Sequence, residues 1–135
     1  MKNLLVNDLG EEMEKIESLK VKSDESIVEW KYNNKTLSMV FSNIDQALID
    51  SSRNLLFVLD EKEGLPKRLS VINGAGEVLS TFSPPVNGDF YYLTITPEKE
   101  VLVVCVFSEK LDGWNDWHFS FNQDSGKLER IAPAR

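Results

Sequence analysis

The residues best equipped for chemistry in this chain of 135 residues are few. The single histidine, His118, follows Asp112 and Asp116 closely, and an imidazole with two carboxylates is a donor set for a divalent metal or for proton transfer. The ordinary alternative is a half-exposed strand residue between Trp117 and Phe119 with two solvated acids before it, and it is the preferred reading. Serine chemistry lacks both the Gly-x-Ser-x-Gly elbow and a second histidine. Gly74-Ala75-Gly76 precedes a strand and not a helix, so it reads as a turn and not as a phosphate cradle. Asp112-Gly113-Trp114-Asn115-Asp116 offers oxygen ligands without the spacing of a calcium loop. No catalytic residue, metal or cofactor is expected.

The only cysteine, Cys105, sits inside Val103-Val104-Cys105-Val106, which excludes an intramolecular disulfide and reads as a small buried hydrophobe. Fifteen basic against 22 acidic residues give a net charge of −7, a sign that disfavours nucleic acid and anionic lipid and would attract a basic protein. The longest apolar runs, residues 55–59 and 101–107, fall far short of the roughly 20 residues a membrane helix takes. No secretory leader is evident at the start, so a cytoplasmic location is expected.

The elements that must position these groups are strands. Residues 27–32, 37–41, 55–60, 68–72, 78–82, 90–96, 101–107, 117–121 and 127–131 are rich in β-branched, aliphatic and aromatic side chains. Turn chemistry separates them: Asn33-Asn34-Lys35, Asn73-Gly74-Ala75-Gly76, Ser83-Pro84-Pro85-Val86-Asn87-Gly88 and Asn122-Gln123-Asp124-Ser125-Gly126. Residues 55–59 and 102–106 are apolar at every position, as in strands covered on both faces. Trp117, Phe119 and Phe121 alternate with His118, Ser120 and Asn122, as in a strand with one wet face. Residues 108–116 read as a long polar loop, with Trp114 inside it.

Residues 44–85 and 90–134 align with each other. Ala47, Ile49 and Leu55 lie 46 positions before Leu93, Ile95 and Val101, and each copy ends in a proline, Pro84 and Pro133. Leu5-Val6-Asn7-Asp8-Leu9-Gly10-Glu11 echoes Val71-Ile72-Asn73-Gly74-Ala75-Gly76-Glu77, which would make residues 3–16 a hairpin. The spacing of Leu9, Met13, Ile16 and Leu19 instead fits one amphipathic helix, and both readings stay open. A period of this length holding four strands resembles a blade of a β-propeller, with no named subfamily implied. A closed propeller takes typically four or more blades, and the chain holds material for about three. The expected fold is therefore a single all-β domain over residues 1–135, an antiparallel meander of hairpins. It is built either like propeller blades or, preferably, as a two-sheet sandwich.

The functional expectation is a non-enzymatic protein-binding domain, of the kind a small acidic immunity or inhibitor protein would be. The binding surface would use Trp114, Asp112, Asp116 and His118, joined by Tyr91. Tyr91 and Tyr92 are expected on opposite faces of their strand, leaving one exposed. The alternatives are a self-associating module whose sheet edges pair between copies, and a small-ligand or metal binder built on residues 112–118.

Overall fold

The computed structural model describes residues 4–6 and 12–134, with side chains placed from residue 15. Among them β1 (Leu4–Val6) and β2 (Glu12–Glu14) pair antiparallel, with Leu5 opposite Met13. The expectation of a helix through Met13, Ile16 and Leu19 is thereby overturned, while Leu9 lies outside the described residues. Its spacing has a different origin. In β3 (Glu17–Lys22) the register slips by one residue between Glu17 and Lys20, where Ser18 takes a left-handed φ of 57°. That bulge lets Ile16 and Leu19, three residues apart, meet the same core.

β3 is followed by a 3₁₀ turn, Ser23–Glu25, and by β4 (Ile27–Tyr32) and β5 (Lys35–Val40), which complete a three-stranded meander. The β4–β5 connection is Asn33-Asn34 with φ of 54° and 61°, the two-residue left-handed turn that matches strand twist and that asparagine tolerates. β6 (Gln46–Asp50), β7 (Leu55–Asp60), β8 (Arg68–Asn73) and β9 (Val78–Phe82) form a four-stranded antiparallel sheet in chain order. β10 (Gly88–Ile95), β11 (Val101–Leu111), β12 (Trp114–Asn122) and β13 (Lys127–Pro133) form a second one.

The three sheets stack in chain order, and the sequence of β7 shows why. Leu55, Phe57 and Leu59 face the third sheet, meeting Phe90, Val103, Cys105 and Phe119. Leu56 and Val58 face the first sheet, meeting Val28 and Trp30. A strand covered on both faces must be apolar throughout, and all six residues of β7 are buried. The molecule is thus an all-β, sandwich-like fold in which the middle sheet serves two cores. β6, absent from the strands read in the sequence, closes the inner edge of that sheet.

Polar ties lock the layers. Trp30 Nε1 donates to Gly74 O at 2.8 Å, joining the first sheet to the β8–β9 turn. The turn fits because Gly74 lacks a side chain: an added Cβ would stand 2.3 Å from the Tyr32 ring. Gln46 spans from β6 to β10, its Oε1 accepting from Leu93 N at 2.8 Å.

Two buried carboxylates end the strands of the middle sheet. Asp50 accepts from Arg53 Nη2 at 2.7 Å, from Ser52 Oγ at 2.7 Å and from Val101 N at 2.9 Å. Asp60 pairs with Arg68 and accepts from Ser42 N at 3.0 Å. The hydrogen bond to Asp60 holds the Arg68 guanidinium above its ordinary range, against the opposing effect of burial. Among the described residues no helix is long and apolar enough to cross a membrane.

Candidate functional site

The segment read as a loop, residues 108–116, is the end of a long hairpin. β11 runs to Leu111 and β12 begins at Trp114, so that only Asp112 and Gly113 form the turn. Their φ angles of 48° and 89° give the left-handed two-residue turn for which Asp-Gly is suited. The polar composition of this stretch reflects an exposed hairpin tip, which alternation and charge alone do not separate from a loop.

The predicted site residues separate into two groups. Asp112 and Trp114 stand at the hairpin tip. Asp112 is held by Arg130 Nη2 at 3.1 Å, and the same guanidinium lies 4.3 Å from the centre of the Trp117 ring. Trp114 is 41% exposed and its carbonyl accepts from Trp117 Nε1 at 3.1 Å. It belongs to a strand, contrary to the expectation from its loop-like surroundings.

Asp116, His118 and Tyr91 belong to the other group, on the outer face of the third sheet. The inward positions of β12 are the buried Trp117, Phe119 and Phe121, as the alternation predicts, so Asp116 and His118 face outward. The register fixes two rows across this face: Asp89, Val106 and Asp116, then Tyr92, Val104, His118 and Ala132. Beyond them Thr94 pairs with Leu102 and Ser120 with Glu129, and Ser120 Oγ donates to Glu100 Oε2 at 2.6 Å. The centre of the face is aliphatic but covered by its neighbours, Val104 being fully buried and Leu102 nearly so. Its charged positions in register are Asp89, Asp116 and Glu129, against Lys127 at the far end.

The tyrosines depart from expectation. Regular pleating would send Tyr91 and Tyr92 to opposite faces, but the register slips between Phe90 and Tyr92. The bulge brings their rings edge to face with centroids 5.0 Å apart, and both stay exposed, at 46% and 39%. Sequence reasoning missed Tyr92 and Asp89. The doubled tyrosine within an otherwise alternating strand was the available signal, since a bulge is what breaks the alternation.

Among the described residues no group of three or more His, Cys, Asp and Glu side chains is placed to hold a metal, so Asp112, Asp116 and His118 do not assemble as a metal centre. Open grooves lie elsewhere among the described residues. One, of about 310 Å³, separates β9 from β13 and is lined by Phe82, Pro85, Phe119 and Leu128 with Lys127. Another, of about 300 Å³, runs past Tyr32, Asn54 and Gly74. Neither is lined by residues 112–118, where the small-ligand alternative would need them. Burial, with a smaller contribution from the Asp89 charge, pushes the Cys105 thiol up to about 12, so it stays protonated and unreactive at neutral pH.

No family model, no curated protein and no solved structure gives a match to this chain.

Proposed function

We infer that the protein is a non-enzymatic protein-binding domain whose contact surface is the outer face of the third sheet. The observation that carries this reading is the Tyr91–Tyr92 pair: two exposed rings set edge to face on a bulge. Tyrosines give large, rigid contact area at small entropic cost and still offer a hydroxyl to hydrogen-bond, which is why they recur at interfaces. The acids around them suit a partner with a basic rim, and the net charge of −7 would speed its approach. A small acidic inhibitor or immunity-type protein fits this description.

The interior groups favour binding over catalysis. Asp50 and Asp60 are engaged by arginines, and Cys105 is a protonated core residue. A free buried thiol also suits a reducing compartment, in keeping with a cytoplasmic site of action.

The test is cross-linking capture of partners by the purified chain and by a Tyr91→Ser/Tyr92→Ser variant, with Glu61→Gln as a distant control. Capture lost in the tyrosine variant and kept in the control supports the reading. Equal capture by all three removes the face from consideration.

A further inference from the structure

Ile72-Asn73-Gly74 and Val86-Asn87-Gly88 are nearly the same tripeptide, an asparagine between a β-branched residue and a glycine. In such a pair the glycine nitrogen reaches the asparagine carboxamide carbon easily, because glycine has no side chain to obstruct the approach. In an unfolded chain the two pairs should react alike. The fold treats them differently.

At Asn73 the carboxamide is fully engaged. Its Oδ1 accepts from Ala75 N at 3.1 Å and from Glu77 N at 2.9 Å, and its Nδ2 donates to Glu77 Oε1 at 2.9 Å. The carbonyl of Gly74 is held by Trp30 Nε1. Ring closure between Asn73 and Gly74 would have to break the three side-chain hydrogen bonds and distort a turn fixed against the first sheet.

At Asn87 none of this is present. The side chain is exposed and makes no hydrogen bond among the described residues. Gly88 N donates to Pro85 O at 2.9 Å, which closes a β-turn whose third residue, Asn87, has a φ of 63°. That bond lies in a surface turn at the start of β10, so local opening frees the nitrogen without breaking into the ladder.

The fold also dictates both residues. A positive φ is a conformation that asparagine tolerates and most residues do not. At Gly88 an added Cβ would stand 2.7 Å from the ring of Phe107, a buried residue that stacks on Phe119. A bulkier neighbour that would shield the asparagine is therefore excluded. The related pair Asp112-Gly113 carries a carboxylate held by Arg130, and a carboxylate anion is a poor electrophile.

We propose that Asn87 is a site of spontaneous modification, where the chain converts an asparagine to aspartate and isoaspartate. Gly88 N gives up its proton to solvent and attacks Asn87 Cγ. The bond from Cγ to Nδ2 breaks, and ammonia leaves with a proton taken from water, closing a succinimide ring. Water then opens the ring. Attack at Cγ gives aspartate, and attack at the α-carbonyl carbon gives isoaspartate, in which the main chain runs through the former side chain. The net change consumes one water and releases one ammonia. Either product sets a new negative charge two residues before Asp89, at the start of the strand that carries Tyr91 and Tyr92. The site does not depend on the binding role of those tyrosines.

The experiment is prolonged incubation of the native chain at 37 °C and neutral pH, followed by brief tryptic digestion and fragment mass spectrometry. The tryptic peptide of residues 69–99 contains both pairs, so they are compared in one molecule against an unincubated control. Asn87 is expected to gain one mass unit at least about tenfold faster than Asn73, whose three hydrogen bonds must first break. Part of the product should accept a methyl group from S-adenosylmethionine through an isoaspartyl methyltransferase. In guanidinium chloride the two rates should converge, because the tripeptides are matched and only the fold separates them. A native ratio below tenfold, product at Asn87 without isoaspartate, or a ratio that persists in denaturant would each overturn the proposal.

Discussion

Asp50 and Arg53, three residues apart across the β6–β7 turn, form a partly buried ion pair that ties the middle sheet to the third. The carboxylate is fully buried, Arg53 Nε and Nη2 both donate to its Oδ2, and Oδ2 also accepts from Val101 N of β11. Arg53 Nη1 donates in turn to the carbonyl of Phe121 on β12. A pair of this kind is sensitive to loss of one member, because the remaining charge is left in the interior.

Arg53→Met is therefore expected to destabilise the chain by about 3–5 kcal/mol. Adding Asp50→Asn to that variant should restore part of the loss, since the uncompensated charge is then gone. Denaturant midpoints of the two single variants and the double variant measure the coupling directly.

Gly74→Ala is expected to cost about 1–3 kcal/mol, as overpacking does when a ring must move. The Tyr32 ring occupies the space the new methyl needs. In a Tyr32→Ala background the same substitution should cost much less, and thermal melts of the four chains test the cycle. Trp30→Phe probes the same corner from the other side. It leaves the carbonyl of Gly74 without its 2.8 Å donor, for an expected loss of about 1–3 kcal/mol.

Cys105 gives a prediction in pH. Its thiol titrates near 9.0 when exposed and is pushed up to about 12 in the fold. Below pH 9 neither state ionises it and its contribution to stability is complete. From pH 9 toward 12 only the unfolded chain loses the proton, so stability falls by about 1.4 kcal/mol per pH unit from this group. Cys105→Ala should show a shallower alkaline decline in urea unfolding than the parent chain. Alkylation of the native protein at pH 8 should be slow, and fast once urea unfolds it.

Much of the fold was legible because burial writes itself into strands. The continuous apolar runs of β7 and β11, and the alternation of β12, needed only the period of a pleated strand to be read. Bulges were not legible. Those at Ser18 and Tyr91 each shift a side chain to the other face, and this is how Ile16 and Leu19 imitated a helix and how Tyr92 joined Tyr91. The hairpin tip at Asp112-Gly113 was hidden by its polarity, although the Asp-Gly pair itself is a turn signal. Of the candidate site, His118, Asp116 and Tyr91 fall on one face, while Asp112 is tied down by Arg130 at the tip. Which strands share a sheet face depends on register, and register is a property of pairing that one strand's sequence does not carry.

The tyrosine pair should tolerate substitution without loss of fold, because both rings are exposed. Tyr91→Ser/Tyr92→Ser is expected to shift the thermal midpoint by no more than a few degrees, consistent with a loss of about 1 kcal/mol for an exposed ring pair. Stability so little changed makes any loss of binding attributable to the surface.

The most direct measurement of the binding role is quantitative cross-linking capture from native extract, comparing the parent chain with Tyr91→Ser/Tyr92→Ser. The account predicts a discrete partner, rich in basic residues at the cross-linked positions, recovered at least tenfold less by the variant. Equal recovery by both chains, or cross-links that avoid the outer face of the third sheet, would contradict it.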